Sequence, residues 1–237
     1  MRPHSSFLMR RNNPASGIPS TGLVGWWKML EGSGTTAADS INGNNLTIRL
    51  GTAYTWGVYS GKPVIEYTDY TTVMKQSSNT NQPTGNVAVS VAANILFESV
   101  SGSRTFAGIT YCGGQAGDNM EGDGMSLSVR YGVLYFSRPN ANNVEVAILN
   151  PISVNVLYNI ILCYDPNGGY PGGNKNAFFV NGVSAGYANL SINFISATGG
   201  RRVGIEAGSN QLCKIGAIAL YSRAIVQDDA TKINAFL

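Results

Sequence analysis

Histidine is almost missing from this chain: the one example in 237 residues is His4, in a polar opening stretch. Ser-His-Asp and Cys-His catalysis, and zinc held by imidazole, therefore lack their base or ligand. Cysteine is nearly as scarce. Cys112, Cys163 and Cys213 are widely spaced and odd in number, with no CxxC pair, so neither a zinc ribbon nor full internal pairing is available. Cys163 and Cys213 fall in strand-like apolar runs and read as buried free thiols, which suits assembly in a reducing compartment. Charged residues make up only 12%, with a net charge of +3. That is too little for the broad basic face of a nucleic-acid binder. No apolar run is long enough to span a bilayer, and the opening stretch lacks the apolar core of a secretory signal. The expectation is a protein made in a cytoplasm, with no nucleic-acid or membrane partner.

What is abundant is glycine, at 29 residues, together with Asn, Ser and Thr. These residues favour turns and short strands over helix interiors. Residues 1–21 are polar, basic and aperiodic, and read as a flexible arm. Beyond them, period-two patterning dominates. "NVAVSVAANILF" sets Val87, Val89 and Val91 on one face and Ala88, Ser90 and Ala92 on the other. "MSLSVRYGVLYFS" places Met125, Leu127 and Val129 together, turns near Tyr131-Gly132 and returns through Leu134 and Phe136. "VEVAIL" alternates with Glu145 outward. "YNIILCYD" is apolar on both faces and reads as a central strand covered on each side. Asn181-Gly182 lies between β-formers, a strong hairpin signal because a type I′ turn needs positive φ twice. "RRVGIEAG" and "CKIGAIALYSRAI" add two strands. Only "VQDDATKINAFL" is helical, with Val226, Ala230 and Ile233 on one face and Asp228 and Asp229 at its N-terminus. Many short strands with one helix imply an all-β sandwich.

Three stretches in order resemble a known family. "GLVGWWKMLEGSGTTAADSINGNN", with Trp56 after it, resembles the opening of laminin-G-like domains in the concanavalin A-like lectin/glucanase superfamily. "IILCYDPNGG" with "NAFFVNGV" resembles that family's central pair, and "KIGAIALYSRAIVQDDATKINAF" its close. The resemblance covers about residues 22–236. It implies a concanavalin A-like jelly-roll of two antiparallel sheets, with a short C-terminal helix, over residues 22–237. It also implies that the first and last strands pair in one sheet, so that Trp27 lies in the core beside Ile218 and Leu220. Trp26 then points the other way by alternation, free for a contact unless a terminal segment covers it.

Site chemistry is thin. Relatives on this fold that hydrolyse glycans need two carboxylates flanking the bond. Glu121 and Asp123 have such spacing, but Gly122 and Gly124 beside them suit a mobile turn, so no catalytic residue is assigned. "GVYSGKP" glances at a phosphate loop, yet its spacing is wrong and Pro63 stands where a magnesium-holding Ser or Thr is required. The resemblance gives Asp39 a part in calcium binding; Gly216 and Ala217 stand where the family has further acids, and calcium needs six to eight oxygens. Asp39 reads better as the cap of its own turn, with no cofactor expected.

What remains is surface. "CGGQAGDNMEGDG" and "YDPNGGYPGGNKN" are long Gly-rich loops, a usual seat of function on a rigid sandwich. Tyr170 reads as an exposed aromatic for a sugar face or as a packing anchor, with Asp118, Asn119 and Asn174 as hydroxyl partners and Trp26 as a further contact. The expected function is non-enzymatic. It is a virion structural protein, a phage capsid decoration or attachment protein docking through Arg10 and Arg11 of the arm onto capsid or other virion proteins. The alternative is an extracellular lectin or adhesin module binding cell-surface or environmental glycans. Whether the chain forms a homo-oligomer is left open.

Overall fold

The computed structural model describes residues 17–50, 54–68, 73–76, 82–83, 85–100, 108–113, 124–138, 144–192, 201–206 and 213–237. Among the described residues sixteen strands and one α-helix follow in order: β1 (Leu23–Trp27), β2 (Thr36–Ala37), β3 (Leu46–Leu50), β4 (Tyr54–Tyr59), β5 (Lys62–Tyr67), β6 (Val73–Gln76), β7 (Val89–Phe97), β8 (Gly108–Gly113), β9 (Gly124–Arg130), β10 (Val133–Arg138), β11 (Val144–Leu149), β12 (Leu157–Tyr164), β13 (Asn176–Val180), β14 (Val183–Ala188), β15 (Arg201–Glu206), β16 (Cys213–Tyr221) and α1 (Gln227–Phe236). One antiparallel sheet runs β14-β13-β12-β7-β16-β5-β4, with β1 also on β16. The other runs β11-β10-β9-β8-β15-β6-β3-β2.

The core between the sheets is built by alternation. Val89, Val91, Met125, Leu127, Val129, Leu134, Phe136, Ile160 and Leu162 all face it. The residues between them face away. Ala92, Ile161, Cys163 and Ala219 form a second apolar layer under α1, which contributes Ala230 and Ile233. The doubly apolar β12 is therefore covered on both faces, and it lies between β13 and β7. Val87 stops short of β7 and is exposed, as is Val226, which precedes α1 rather than joining its buried stripe.

First and last strands do pair. Trp27 lies opposite Ile218 and Gly25 opposite Leu220, and the fully buried Trp27 donates its Nε1–H to Asn44 O at 2.9 Å. Between its contacts with β5 and β1, the last strand breaks register over Ile215 to Ile218. Gly216 sits in that break, where a Cβ would come within 2.9 Å of Asn94 Cβ.

The stretch 1–21, expected as a flexible arm, includes residues that pack against the fold. Ile18 is buried in the second apolar layer, and Gly17 lies flat against the Phe236 ring, where a Cβ would collide with it. "GVYSGKP" is a hairpin between β4 and β5, turned by Ser60-Gly61 with φ of 49° and 78°. Asn181-Gly182 makes the same kind of turn, at 50° and 76°.

Candidate functional site

The registers define two ends. At the upper end lie Tyr164 beside Asn176 and Val89, Tyr221 beside Ser90, and Gly113 beside Arg201. The two Gly-rich loops singled out in the sequence thus spring from one end, at Gly113 and Gly124 and at Tyr164 and Asn176. Asp118 and Asn119, and the acid pair Glu121 and Asp123, lie outside the described residues.

The 165–175 loop does not offer its aromatic to solvent. Tyr170 is 7% exposed. Its hydroxyl donates to Ile225 O at 3.2 Å, and its ring packs against Tyr187 with centroids 6.2 Å apart. Its neighbours include the Cys163 thiol. Ser90 completes the knot by donating to Arg223 O at 2.8 Å and accepting from Ile225 N at 3.1 Å. Burial pushes the Cys163 thiol up to about 11 and raises the Tyr170 phenol well above its usual range. These groups stay protonated at neutral pH and hold the lead-in to α1. Asn174, half-buried, donates its amide to Pro171 O within the same loop at 2.6 Å. The loop is tied by Asp165, which accepts from Asn167 N at 2.9 Å and donates its own N–H to Lys175 O at 2.7 Å. The surface aromatic expected at Tyr170 is a packing anchor, because its loop folds back over the second apolar layer.

Trp26 is covered as well, at 6% exposed. It shares the layer with Ile18, Tyr170 and Ile233, and Lys28 Nζ stands 4.2 Å from its ring centroid. Alternation placed it correctly on the face away from the core; α1 and residues 17–18 then closed that face. Arg10 and Arg11 lie outside the described residues.

Asp39 is a turn cap. Its Oδ1 accepts from Trp26 N at 2.9 Å and Ile41 N at 3.0 Å, and its Oδ2 from Asn42 N and Asn44 N, both at 3.1 Å. Four N–H donors around one carboxylate balance its charge with dipoles and fix the turn beside Trp27. Among the described residues, no group of three or more His, Cys, Asp or Glu side chains is placed to hold a metal ion.

The lower end carries the surface that sequence reasoning passed over. There β9 and β10 meet in the Tyr131-Gly132 turn, with φ of 49° and 76°. Tyr131 is 71% exposed. A bulky residue in the left-handed region is uncommon and costs on the order of 1 kcal/mol or more; the two sister turns use Ser60 and Asn181 there. Residues 150–156 are stapled alongside. Ile152 N donates to Gly132 O at 2.8 Å, Gly132 N to Val100 O at 3.1 Å, and Asn155 N to Phe97 O at 2.8 Å. Ser153 N donates to the Tyr158 hydroxyl at 2.9 Å, and the Tyr59 hydroxyl to Asn155 O at 2.7 Å. Ile152 is the buried peg, while Asn150, Pro151, Ser153, Val154, Asn155 and Val156 face solvent. The result is an aromatic on a rigid turn beside a braced row of amide, hydroxyl and small apolar groups. The Tyr-Gly dipeptide gave the turn in advance; a turn position also means that the ring cannot reach the core.

No family model matches the chain, and no curated protein matches it in sequence. Solved structures do. A Trypanosoma rangeli sialidase in complex with the inhibitor DANA is similar at 13% identity and a TM-score of 0.65, over 92% of this chain and 33% of that one. The receptor binding domain of botulinum neurotoxin D is similar at 11% identity and 0.65, over 90% of this chain and 52% of the other. The serotype D ligand binding domain in complex with N-acetylneuraminic acid gives 11% and 0.64, over 90% and 50%. This chain spans about a third of the sialidase and about half of each toxin domain. At such identities the likeness is one of fold, and the fold is a β-sandwich.

Proposed function

We propose that this chain is a non-catalytic, glycan-binding β-sandwich module whose combining surface is the lower end around Tyr131. The observation that carries the reading is the Tyr131 ring, 71% exposed on a left-handed turn position that favours a smaller residue. Folding gains nothing from an aromatic there, whereas a sugar ring stacks well on a rigid, flat, amphipathic group. The amides of Asn150 and Asn155 and the Ser153 hydroxyl supply polar partners at its flank. The similar serotype D ligand binding domain in complex with N-acetylneuraminic acid supports this reading. The finer family reading, a laminin-G-like domain, is supported by the pairing of the Trp27 strand with β16. Glycan-array binding by the wild type, lost in Tyr131→Ala and kept in Tyr170→Phe, is the expected result; equal array signals for wild type and Tyr131→Ala would remove the site.

A second reading, a virion decoration or attachment protein, draws on the basic opening of the chain, in which no acidic residue precedes Glu31. Because Ile18 is packed into the fold, its test is deletion of residues 1–16 alone. Loss of particle association in an otherwise stable protein supports that docking role, and full occupancy without those residues rejects it.

A further inference from the structure

An exposed strand edge is a template for pairing, and folded proteins blunt it by shortening, bulging or charging the strand or by covering it. Four edges here are treated in that way. The free side of β1 is taken by the Asp39 turn, through Ser40 N to Trp26 O at 2.9 Å and Asn42 Nδ2 to Val24 O at 2.9 Å. β2 is two residues long. β11 contains Glu145 and a register shift against β10. β14 has a register shift against β13 and Gly186 at φ 146°.

Among the described residues, β4 has none of these. Its six residues, "YTWGVY", contain no charge and no proline and pair with β5 without a break from Tyr54-Tyr67 to Tyr59-Lys62. Among the described residues, no strand lies on its other side. Val58 is 71% exposed, while Tyr54 and Trp56 turn their polar atoms back to Gly34 O at 3.1 and 2.8 Å.

We propose that β4 pairs antiparallel with β4 of a second copy of this chain about a two-fold axis, joining two sheets into one. Every second residue of β4 turns its N–H and C=O towards that free side. Residues directly opposite in an antiparallel pair share a face. A two-fold pairing therefore sets Val58 against Tyr54 or Trp56 of the second copy, covering the most exposed apolar side chain of the strand. An uncharged strand brings no like charges together when it meets itself, which a strand carrying a lysine or glutamate would do. The dimer also presents two Tyr131 surfaces, so weak single contacts reinforce one another; the pairing itself does not depend on what Tyr131 binds.

Sedimentation velocity over a wide concentration range, paired with hydrogen exchange, tests this. The wild type is expected to dimerise, with amides of residues 54–59 gaining protection as concentration rises. Val58→Lys is expected to weaken the dimer about tenfold or more by setting a charge in the paired surface, while Val183→Lys on β14 leaves it intact. A wild type that stays monomeric overturns the proposal. So does a dimer that is insensitive to Val58→Lys and leaves residues 54–59 unprotected.

Discussion

The two ends of the sandwich each carry a tyrosine in a connection, and they use it in opposite ways. At the upper end Tyr170 sits in a long glycine-rich loop, and freedom of the backbone lets the loop fold back and bury the ring under Ile225 and Tyr187. At the lower end Tyr131 sits in a two-residue turn, whose geometry holds the ring out in solvent. Loop length decided the outcome. A flexible connection turns an aromatic into an anchor, and a tight one turns it into a platform.

Removing each ring in turn should separate the two ends. Tyr170→Ala leaves a cavity beside Cys163 and unseats the Ile225 carbonyl, so a loss of about 3–5 kcal/mol is expected by urea unfolding. Asp39→Ala, which strips four backbone N–H groups of their acceptor next to Trp27, should cost about 2–3 kcal/mol in the same assay. Tyr131→Ala should stay within about 0.5 kcal/mol of wild-type stability while glycan affinity falls about tenfold, as removal of one stacked aromatic implies. Tyr170→Phe should cost only about 1 kcal/mol, the share of the hydroxyl's hydrogen bond to Ile225 O, with binding unaltered. If Tyr170→Phe instead abolished binding at wild-type stability, the upper end would be the combining surface and the comparison would reverse.

Much of the sandwich was legible in the sequence where alternation was clean. The segments of β7, β9 and β10 display their two faces residue by residue, and β12 announces two-sided cover by being apolar throughout. The β2 to β6 region was not legible. Its strands are short or sit at an edge, and in "YTWGVY" the alternation of Tyr54 and Trp56 with Thr55 and Gly57 breaks at the exposed Val58. Only Ser60-Gly61 marks the hairpin there, within a stretch that otherwise reads as a poor phosphate loop. The site was harder still. The burial of Trp26 and Tyr170 is decided by residues far along the chain, at α1 and Ile225, which no local pattern reports. Tyr131 was visible as a turn, but the meaning of its ring appears only when the turn is seen to project from a braced surface.

The most direct measurement is made on Tyr131→Asn, with thermal stability and glycan affinity read from one preparation. Asparagine suits the left-handed position, so relief of strain should stabilise the protein by about 1 kcal/mol, while glycan affinity falls about tenfold with loss of the ring. A variant that is more stable and binds less would mean that the ring is kept for contact at the expense of folding. A variant that binds as well as wild type, or that is destabilised, would contradict a binding role for the lower end.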